Sequence, residues 1–128
     1  MNNILLTGAS GYSGRKVSEY LDTKNNKVLN VYFKNKLKKK SSIKYSLLKP
    51  LNIKQNFNII IHSASHHKIS DFKIHPIIKK TNNIVMTKNL INFCHKKKIK
   101  KFIFFLKINL NFYPYPKKKI DYINSKKE

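Results

Sequence analysis

Short apolar blocks recur along the chain, separated by polar turns or by segments with a different periodicity. Residues 3–7, 27–33, 43–48, 57–62 and 101–106 are rich in isoleucine, leucine, valine and aromatic residues, which favours β-strands. The run of isoleucines within residues 57–62 is typical of a strand that is covered on both faces. The pattern therefore predicts five strands of a parallel sheet.

Two segments between these blocks have helical spacing instead. Residues 12–23 carry apolar side chains on one face, and residues 77–97 repeat them at intervals of three and four. Strands that alternate with helices imply right-handed crossovers. We predict a single α/β domain over residues 1–128, a Rossmann-like doubly wound parallel sheet in the order 3-2-1-4-5 that is incomplete on its C-terminal side. Its ligand crevice is expected at the carboxyl ends of strands one and four.

The turn after the first strand carries the strongest chemical signal. The chain has 3 glycines, and all of them, Gly8, Gly11 and Gly14, lie in this one turn. We expect Gly8 to permit the tight bend, Gly11 to let backbone approach a pyrophosphate and Gly14 to let the helix pack closely on the sheet. The amino end of the following helix would then face the phosphates.

The chain resembles the short-chain dehydrogenase/reductase family, in particular its extended members such as nucleotide-sugar epimerases and dehydratases. Residues 7–14 match the family's TGxxGxxG turn, and residues 61–65 look like its I-H-x-A-A turn. Residues 83–90 are similar to the N-V-x-G-T-x-N-L helix, with Met86 in place of glycine. Near the end of the chain, Tyr122 and Lys126 match the Tyr-x-x-x-Lys motif.

The resemblance implies an NAD or NADP cofactor and, if the chain is active, redox chemistry on a nucleotide sugar or a similar carbonyl or hydroxyl substrate. Tyr122 would be the acid/base, because Lys126 four residues away on a helix favours its ionised form. The implied cofactor-binding residues include Lys126, which would hold the nicotinamide ribose. The others are Gly8, Ser10, Gly11, Tyr12, Gly14, Lys34, His62 and Ala64.

Several positions depart from the family's pattern. Lys107 stands where the resemblance implies the catalytic serine, and the stretch 47–50 offers no carboxylate for the adenine. Lys34 follows the second strand where an acidic residue would bind the ribose of NAD, so NADP is slightly favoured. The 128 residues contain no substrate domain of the kind the extended members carry. We therefore expect that domain to be absent.

The charge is extreme, with 28 basic residues against 5 acidic ones and a net charge of +23. Arg15 is the sole arginine, whereas nucleic-acid recognition usually relies on arginine. The excess of Lys, Asn, Ile and Phe is typical of an AT-rich genome, which is the simpler explanation of the charge. Non-specific binding of polyanions at low salt remains an expectation.

The remaining features indicate a cytoplasmic protein without a structural metal. One cysteine, Cys94, excludes an internal disulfide, and no apolar run has the length of about 20 residues that spans a bilayer. The five histidines do not have the spacing of a zinc site. The fifth strand is expected to be an uncovered apolar edge that pairs with a second polypeptide, with another copy of the chain or in aggregates.

Three functions stay open at this point. The first is a dinucleotide-binding oxidoreductase of the epimerase/dehydratase kind. The second is an inactive, truncated Rossmann-fold protein with residual cofactor affinity. The third is a basic nucleic-acid-binding protein built on the same fold.

Overall fold

A five-stranded parallel sheet forms the centre of the protein. The structure is a computed structural model, and it describes residues 1–34, 41–64 and 76–105. The strands are β1 (Asn3–Thr7), β2 (Lys27–Tyr32), β3 (Ser42–Lys44), β4 (Ile59–His62) and β5 (Lys101–Phe104), and the helices are α1 (Tyr12–Asp22) and α2 (Pro76–Lys97).

The strand order is β3-β2-β1-β4-β5, and every neighbouring pair is parallel. This confirms the predicted α/β class and the predicted order. Because β1 lies between β2 and β4, the chain crosses from one side of β1 to the other after β3. That reversal is the switch point at which doubly wound sheets carry their ligand crevice, beyond the carboxyl ends of β1 and β4.

Each face of the sheet has its own apolar core. Alternate residues of β1 point to opposite faces, as the two-residue period of a strand requires. Ile4 and Leu6 pack with Leu21 of α1, whereas Leu5 packs with Leu90 of α2. Both faces of β1 are therefore covered, which agrees with its continuous apolar sequence.

The third strand is much shorter than the predicted range of 43–48. It ends at Lys44, and the backbone then turns, with the Lys49 amide donating to the Ser46 carbonyl at 3.2 Å. Leu47 is buried in the core that lies under α2, and its carbonyl accepts a hydrogen bond of 2.8 Å from the Asn89 amide group. Packing against α2 thus ends the strand earlier than its local sequence indicates.

The fifth strand behaves as an exposed edge. Within the described residues β5 pairs with β4, and Phe102 packs partly against the core. Ile103, Phe104 and Phe105 remain 39%, 45% and 46% exposed. The expectation of an apolar and poorly covered edge is met in this part of the chain.

Candidate functional site

Gly8 lies in a turn that has no room for a side chain. Its φ is 68°, in the left-handed region that favours glycine. A Cβ at this position would lie 2.6 Å from the Ala64 nitrogen and 2.7 Å from the Ser63 carbonyl carbon. The turn after β1 therefore lies directly against the backbone that leaves β4.

Gly14 is required by an even closer contact. A Cβ there would lie 1.9 Å from the Gly8 carbonyl oxygen and 2.6 Å from its carbon. The expectation was that Gly14 lets α1 pack closely on the sheet. The structure shows that it lets the first turn of α1 close onto the Gly8 turn itself.

Gly11 differs from the other two glycines in how closely a Cβ would approach the described residues. It is the N-cap of α1 with φ −76° and ψ 170°, a conformation that any residue adopts. A Cβ would approach one described atom within 4 Å, the Gly8 oxygen at 3.3 Å. That distance is tight for a Cβ, and no other described atom lies within 4 Å of it, so most of the room beside the Gly11 backbone is not filled by the described residues.

The amino end of α1 is not neutralised by its own side chains. Gly11 supplies no side-chain cap, and the first turn contains no acidic residue. Backbone N–H groups at such an end lack helical partners and carry partial positive charge. The first turn of α1, next to Gly11, therefore has the electrostatics of an anion site.

The other predicted residues of this loop lie around its rim. Ser10 is half-buried, and Tyr12 begins α1 with 77% of its surface exposed and the Lys16 ammonium 5.2 Å from its ring centre. The Ala9 amide donates to the Val31 carbonyl at 3.3 Å, which ties the loop to β2. Lys34 is exposed two residues beyond the end of β2.

His62 is the last residue of β4, and it lies beneath the crevice with 1% of its surface exposed. Its Nδ1 lies 2.7 Å from the Thr7 hydroxyl, and its Nε2 lies 3.2 Å from the Thr87 hydroxyl. Burial lowers the pKa of His62 from 6.5 to about 4, because desolvation disfavours the charged form. The imidazole is therefore neutral at physiological pH.

Thr7 joins the two loops that form the crevice. Its hydroxyl oxygen accepts hydrogen bonds from the Ser63 amide at 3.1 Å and from the Ala64 amide at 3.3 Å. Ala64 is half-buried at the point where Gly8 passes. The predicted residues Gly8, His62 and Ala64 are thus brought together by a threonine to which the sequence analysis assigned no role of its own.

Thr87 is the second residue that sequence reasoning left without a role. It belongs to the motif over residues 83–90, so its position could have been found, but its contact with His62 depends on how α2 packs.

Three predicted catalytic positions lie outside the described residues. They are the pair Tyr122 and Lys126, and Lys107 at the expected serine position. Their predicted roles are therefore not placed by the structure.

Two further observations concern the described parts of the chain. Residues 1–34, 41–64 and 76–105 contain no cluster of three or more histidine, cysteine or acidic side chains that could hold a metal ion. Neither α1 nor α2 combines the length and apolar character that a helix needs to cross a membrane.

The fold and the glycine turn match known proteins. The family profile described as the NAD dependent epimerase/dehydratase family matches residues 4–106. No curated protein sequence matches the chain.

Solved structures with the same fold include several sugar-nucleotide enzymes. The UDP-Glc/GlcNAc 4-epimerase of Campylobacter jejuni superposes with a TM-score of 0.68 at 23% identity, over 81% of this chain and 36% of its own. The ADP-L-glycero-D-manno-heptose-6-epimerase of Helicobacter pylori gives 0.72 at 19% identity, over 98% and 48%. The WbmH enzyme of Bordetella bronchiseptica, solved with NAD+, gives 0.63 at 18%, over 80% and 38%.

At these identities the structural likeness shows the fold, and the present chain spans less than half the length of each of the three proteins. The family profile, in contrast, extends over most of the chain and includes the whole Gly8 to Gly14 turn. The chain belongs to the NAD dependent epimerase/dehydratase family.

Proposed function

We propose that this chain binds a nicotinamide dinucleotide in the crevice between β1 and β4. The observation that carries the proposal is the contrast between the glycines of one turn. Gly8 and Gly14 are explained by backbone contacts within the protein, whereas a Cβ at Gly11, beside an uncapped helix end, would meet one described atom within 4 Å, the Gly8 oxygen at 3.3 Å. A diphosphate is a ligand whose size and charge suit that place.

Different residues around the turn would bind different parts of the cofactor. The backbone of Gly11 and the first N–H groups of α1 would hold the diphosphate, with Ser10 and Tyr12 on the rim. Ala64, at the carboxyl end of β4, would face the ribose on the nicotinamide side. The bound dinucleotide would supply hydride transfer, for which the polypeptide has no group of its own.

A fluorescence titration with NADPH tests the binding proposal. Gly11→Leu should abolish binding. Because its Cβ would lie a tight 3.3 Å from the Gly8 oxygen, circular dichroism of the variant must first show that it is folded. A wild-type chain that does not bind NADPH or NADH at millimolar concentration would refute the proposal. So would a Gly11→Leu variant that binds as tightly as the wild type.

We further propose NADP as the preferred form, on the basis of Lys34. An exposed ammonium beyond β2 favours the additional phosphate of NADP, where an acidic side chain would favour the ribose of NAD. Lys34→Glu should lower the ratio of NADPH to NADH affinity by roughly tenfold. Lys24→Glu makes the same change in net charge beyond the far end of α1, so its ratio should stay that of the wild type.

The catalytic part of the proposal rests on Tyr122 and Lys126. Their four-residue spacing supports an acid/base pair in which the ammonium favours the ionised phenol. A nucleotide sugar is the proposed substrate class, as for the 4-epimerase of Campylobacter jejuni. Tyr122→Phe should remove any turnover of UDP-sugars and leave NADPH affinity unchanged. A chain that binds NADPH but turns over none of the sugar nucleotides would favour the inactive alternative.

The net charge of +23 supports one alternative function, the binding of polyanions. Such binding would be non-specific and would weaken steeply with salt, because it depends on counterion release. DNA binding that survives in Gly11→Leu would show that it is independent of the cofactor site. DNA binding with strong sequence preference at physiological salt, in a chain without NADPH affinity, would favour a nucleic-acid-binding function.

A further inference from the structure

We infer that His62 is a positioning residue, held as a single neutral tautomer by a directed chain of hydrogen bonds that links α2 to the floor of the crevice. The chain runs from the Asn83 carbonyl through Thr87, His62 and Thr7 to the amides of Ser63 and Ala64. The part of the inference that concerns cofactor affinity rests on the proposed function. The part that concerns the tautomer does not.

The direction of the chain follows first from Thr7. A hydroxyl group has two acceptor positions and one proton. The amide of Ser63, which also donates to the Thr7 carbonyl at 3.3 Å, and the amide of Ala64 both donate to the hydroxyl oxygen, at 3.1 and 3.3 Å. The hydroxyl proton of Thr7 remains available, so the Thr7 hydroxyl donates a hydrogen bond to Nδ1 of His62 at 2.7 Å. Nδ1 must then carry no hydrogen.

The same direction follows independently from Thr87. Its hydroxyl donates to the carbonyl of Asn83, one turn earlier in α2, at 2.9 Å. With its proton engaged there, Thr87 can only accept from the imidazole, and the separation from Nε2 is 3.2 Å. Nε2 must therefore carry the hydrogen. Two threonines on different elements thus specify the same tautomer.

The alternatives would leave buried groups unsatisfied. A hydrogen on Nδ1, in the other tautomer or in the imidazolium, would need a third acceptor position on Thr7. The rings of Phe104 and Phe102, centred 5.2 and 6.3 Å from the imidazole, offer no polar atom in exchange. With His62 only 1% exposed, water cannot readily replace the lost partner.

This chain of hydrogen bonds ends at a loop that borders the crevice, so it affects the spacing of the two loops there. The two amides held by Thr7 belong to the backbone that lies against Gly8, where a Cβ would be 2.6 Å from the Ala64 nitrogen. A small shift of Ser63 and Ala64 would therefore change the gap between the loops after β1 and β4. His62 connects this gap to α2 through its hydrogen bond with Thr87, so the position of α2 helps to fix the distance between the two loops.

The tautomer can be measured directly in the whole protein. Nitrogen-15 and carbon-13 chemical shifts of the His62 ring at pH 7 should report hydrogen on Nε2 and none on Nδ1. Hydrogen on Nδ1, a mixture of both tautomers or an imidazolium at pH 7 would overturn the inference. This outcome is independent of whether the chain binds any cofactor.

The link to the crevice is tested with substitutions in α2. Thr87→Val removes the acceptor from Nε2 and keeps the shape of the side chain, so NADPH affinity should fall about fivefold to tenfold, the effect of one or two buried hydrogen bonds. The amide signals of Ser63 and Ala64 should shift as well. Thr87→Ser restores the hydroxyl and should restore both readouts.

Thr81 provides a matched control on the same helix. Its hydroxyl makes the equivalent bond to the carbonyl one turn earlier, to Ile77 at 2.8 Å, but it is exposed. Thr81→Val should therefore change neither NADPH affinity nor the signals of residues 63–64. Equal effects of Thr81→Val and Thr87→Val, or none from Thr87→Val, would overturn the positioning role. A wild type that binds no cofactor would refute the proposed function, and the amide signals would still decide the link.

Discussion

The central strands β1 and β4 and the outer strand β5 have similarly apolar sequences but different surroundings. In β1 and β4, Leu5 and Ile60 are completely buried, and each strand is paired on both sides. In β5, the neighbouring residues Ile103 and Phe104 are 39% and 45% exposed. An apolar strand is therefore buried only where other segments of the chain pack on its faces. Pairing with one neighbouring strand does not bury its side chains.

The described loops of the candidate site lie on the well-supported side of this comparison. Its loops leave β1 and β4, and the side chains beneath it have partners for their polar atoms. A crevice built on strands that are fixed on both sides keeps its geometry without help from a ligand. The following predictions test this difference between centre and edge.

The largest effect is expected from the glycine turn at the centre. Gly14→Ala places a Cβ 1.9 Å from the Gly8 oxygen, and the obstacle is backbone that cannot move aside. We expect a loss of about 4 kcal/mol or more in the free energy of unfolding, enough to prevent folding. Gly11→Ala, whose Cβ approaches the same oxygen only to 3.3 Å, should cost about 1 kcal/mol. Urea unfolding followed by circular dichroism measures both, and equal losses would contradict the prediction.

Truncation of matched isoleucines compares centre and edge directly. Ile60→Ala in β4 should cost about 3 kcal/mol, because a completely buried side chain leaves a cavity. Ile103→Ala in β5 should cost about 1 kcal/mol or less, since that side chain is 39% exposed. Thermal and urea unfolding give the two values. If the two losses were the same, β5 would be covered in solution by something that the described residues do not include.

Low pH should destabilise the central strands, because His62 at the end of β4 is difficult to protonate in the folded protein. Its pKa is about 4 in the folded protein and 6.5 as an unperturbed group, so between these values the unfolded chain binds more protons. The free energy of unfolding should therefore fall as the pH drops from about 6.5 to about 4, by up to about 3 kcal/mol. Below pH 4 this contribution is fully lost, and above 6.5 it is fully present.

Two variants identify the source of this pH dependence. His62→Gln should remove most of the slope between pH 6.5 and 4, whereas His95→Gln should keep it because His95 is exposed near the end of α2. Urea unfolding at several pH values is the measurement. A slope that persists in His62→Gln would assign the dependence to other groups.

The edge should show the smallest effect on stability but a visible one on association. We expect concentration-dependent association through β5, stronger at high salt because salt screens the repulsion of a net charge of +23. Ile103→Lys should reduce it with little change in the free energy of unfolding. Light scattering tests this, and monomeric behaviour of the wild type at high concentration and high salt would contradict it.

Most of the architecture followed from patterns that are local in the chain. The bounds predicted for β1 agree with the structure, and those of α1, α2, β2, β4 and β5 differ by one or two residues at their ends. The sheet order was also predicted, because alternating strands and helices with right-handed crossovers leave few arrangements. The glycine turn was located by the clustering of a residue type that occurs nowhere else in the chain.

The errors occurred where packing between distant segments decides the outcome. Residues 45–48 have strand-like sequence, but Tyr45 bonds to the Pro50 carbonyl and Asn89 bonds to the Leu47 carbonyl, so the chain turns. The particular contact that Gly14 makes was not predicted, for the same reason. Its constraint comes from the Gly8 backbone, which no spacing in the sequence describes.

The sequence by itself determined the class of fold, the order of strands and the turn that carries the family's chemistry, because hydrophobic period and glycine placement act over a few residues. Only the tertiary structure decided which glycines are required by backbone contacts and which hydrogen bonds surround the His62 ring. Those properties depend on contacts and hydrogen bonds that join residues up to 57 positions apart in the chain, as in the Thr7 to Ala64 bond. They exist only when the packed sheet brings these groups within hydrogen-bonding distance.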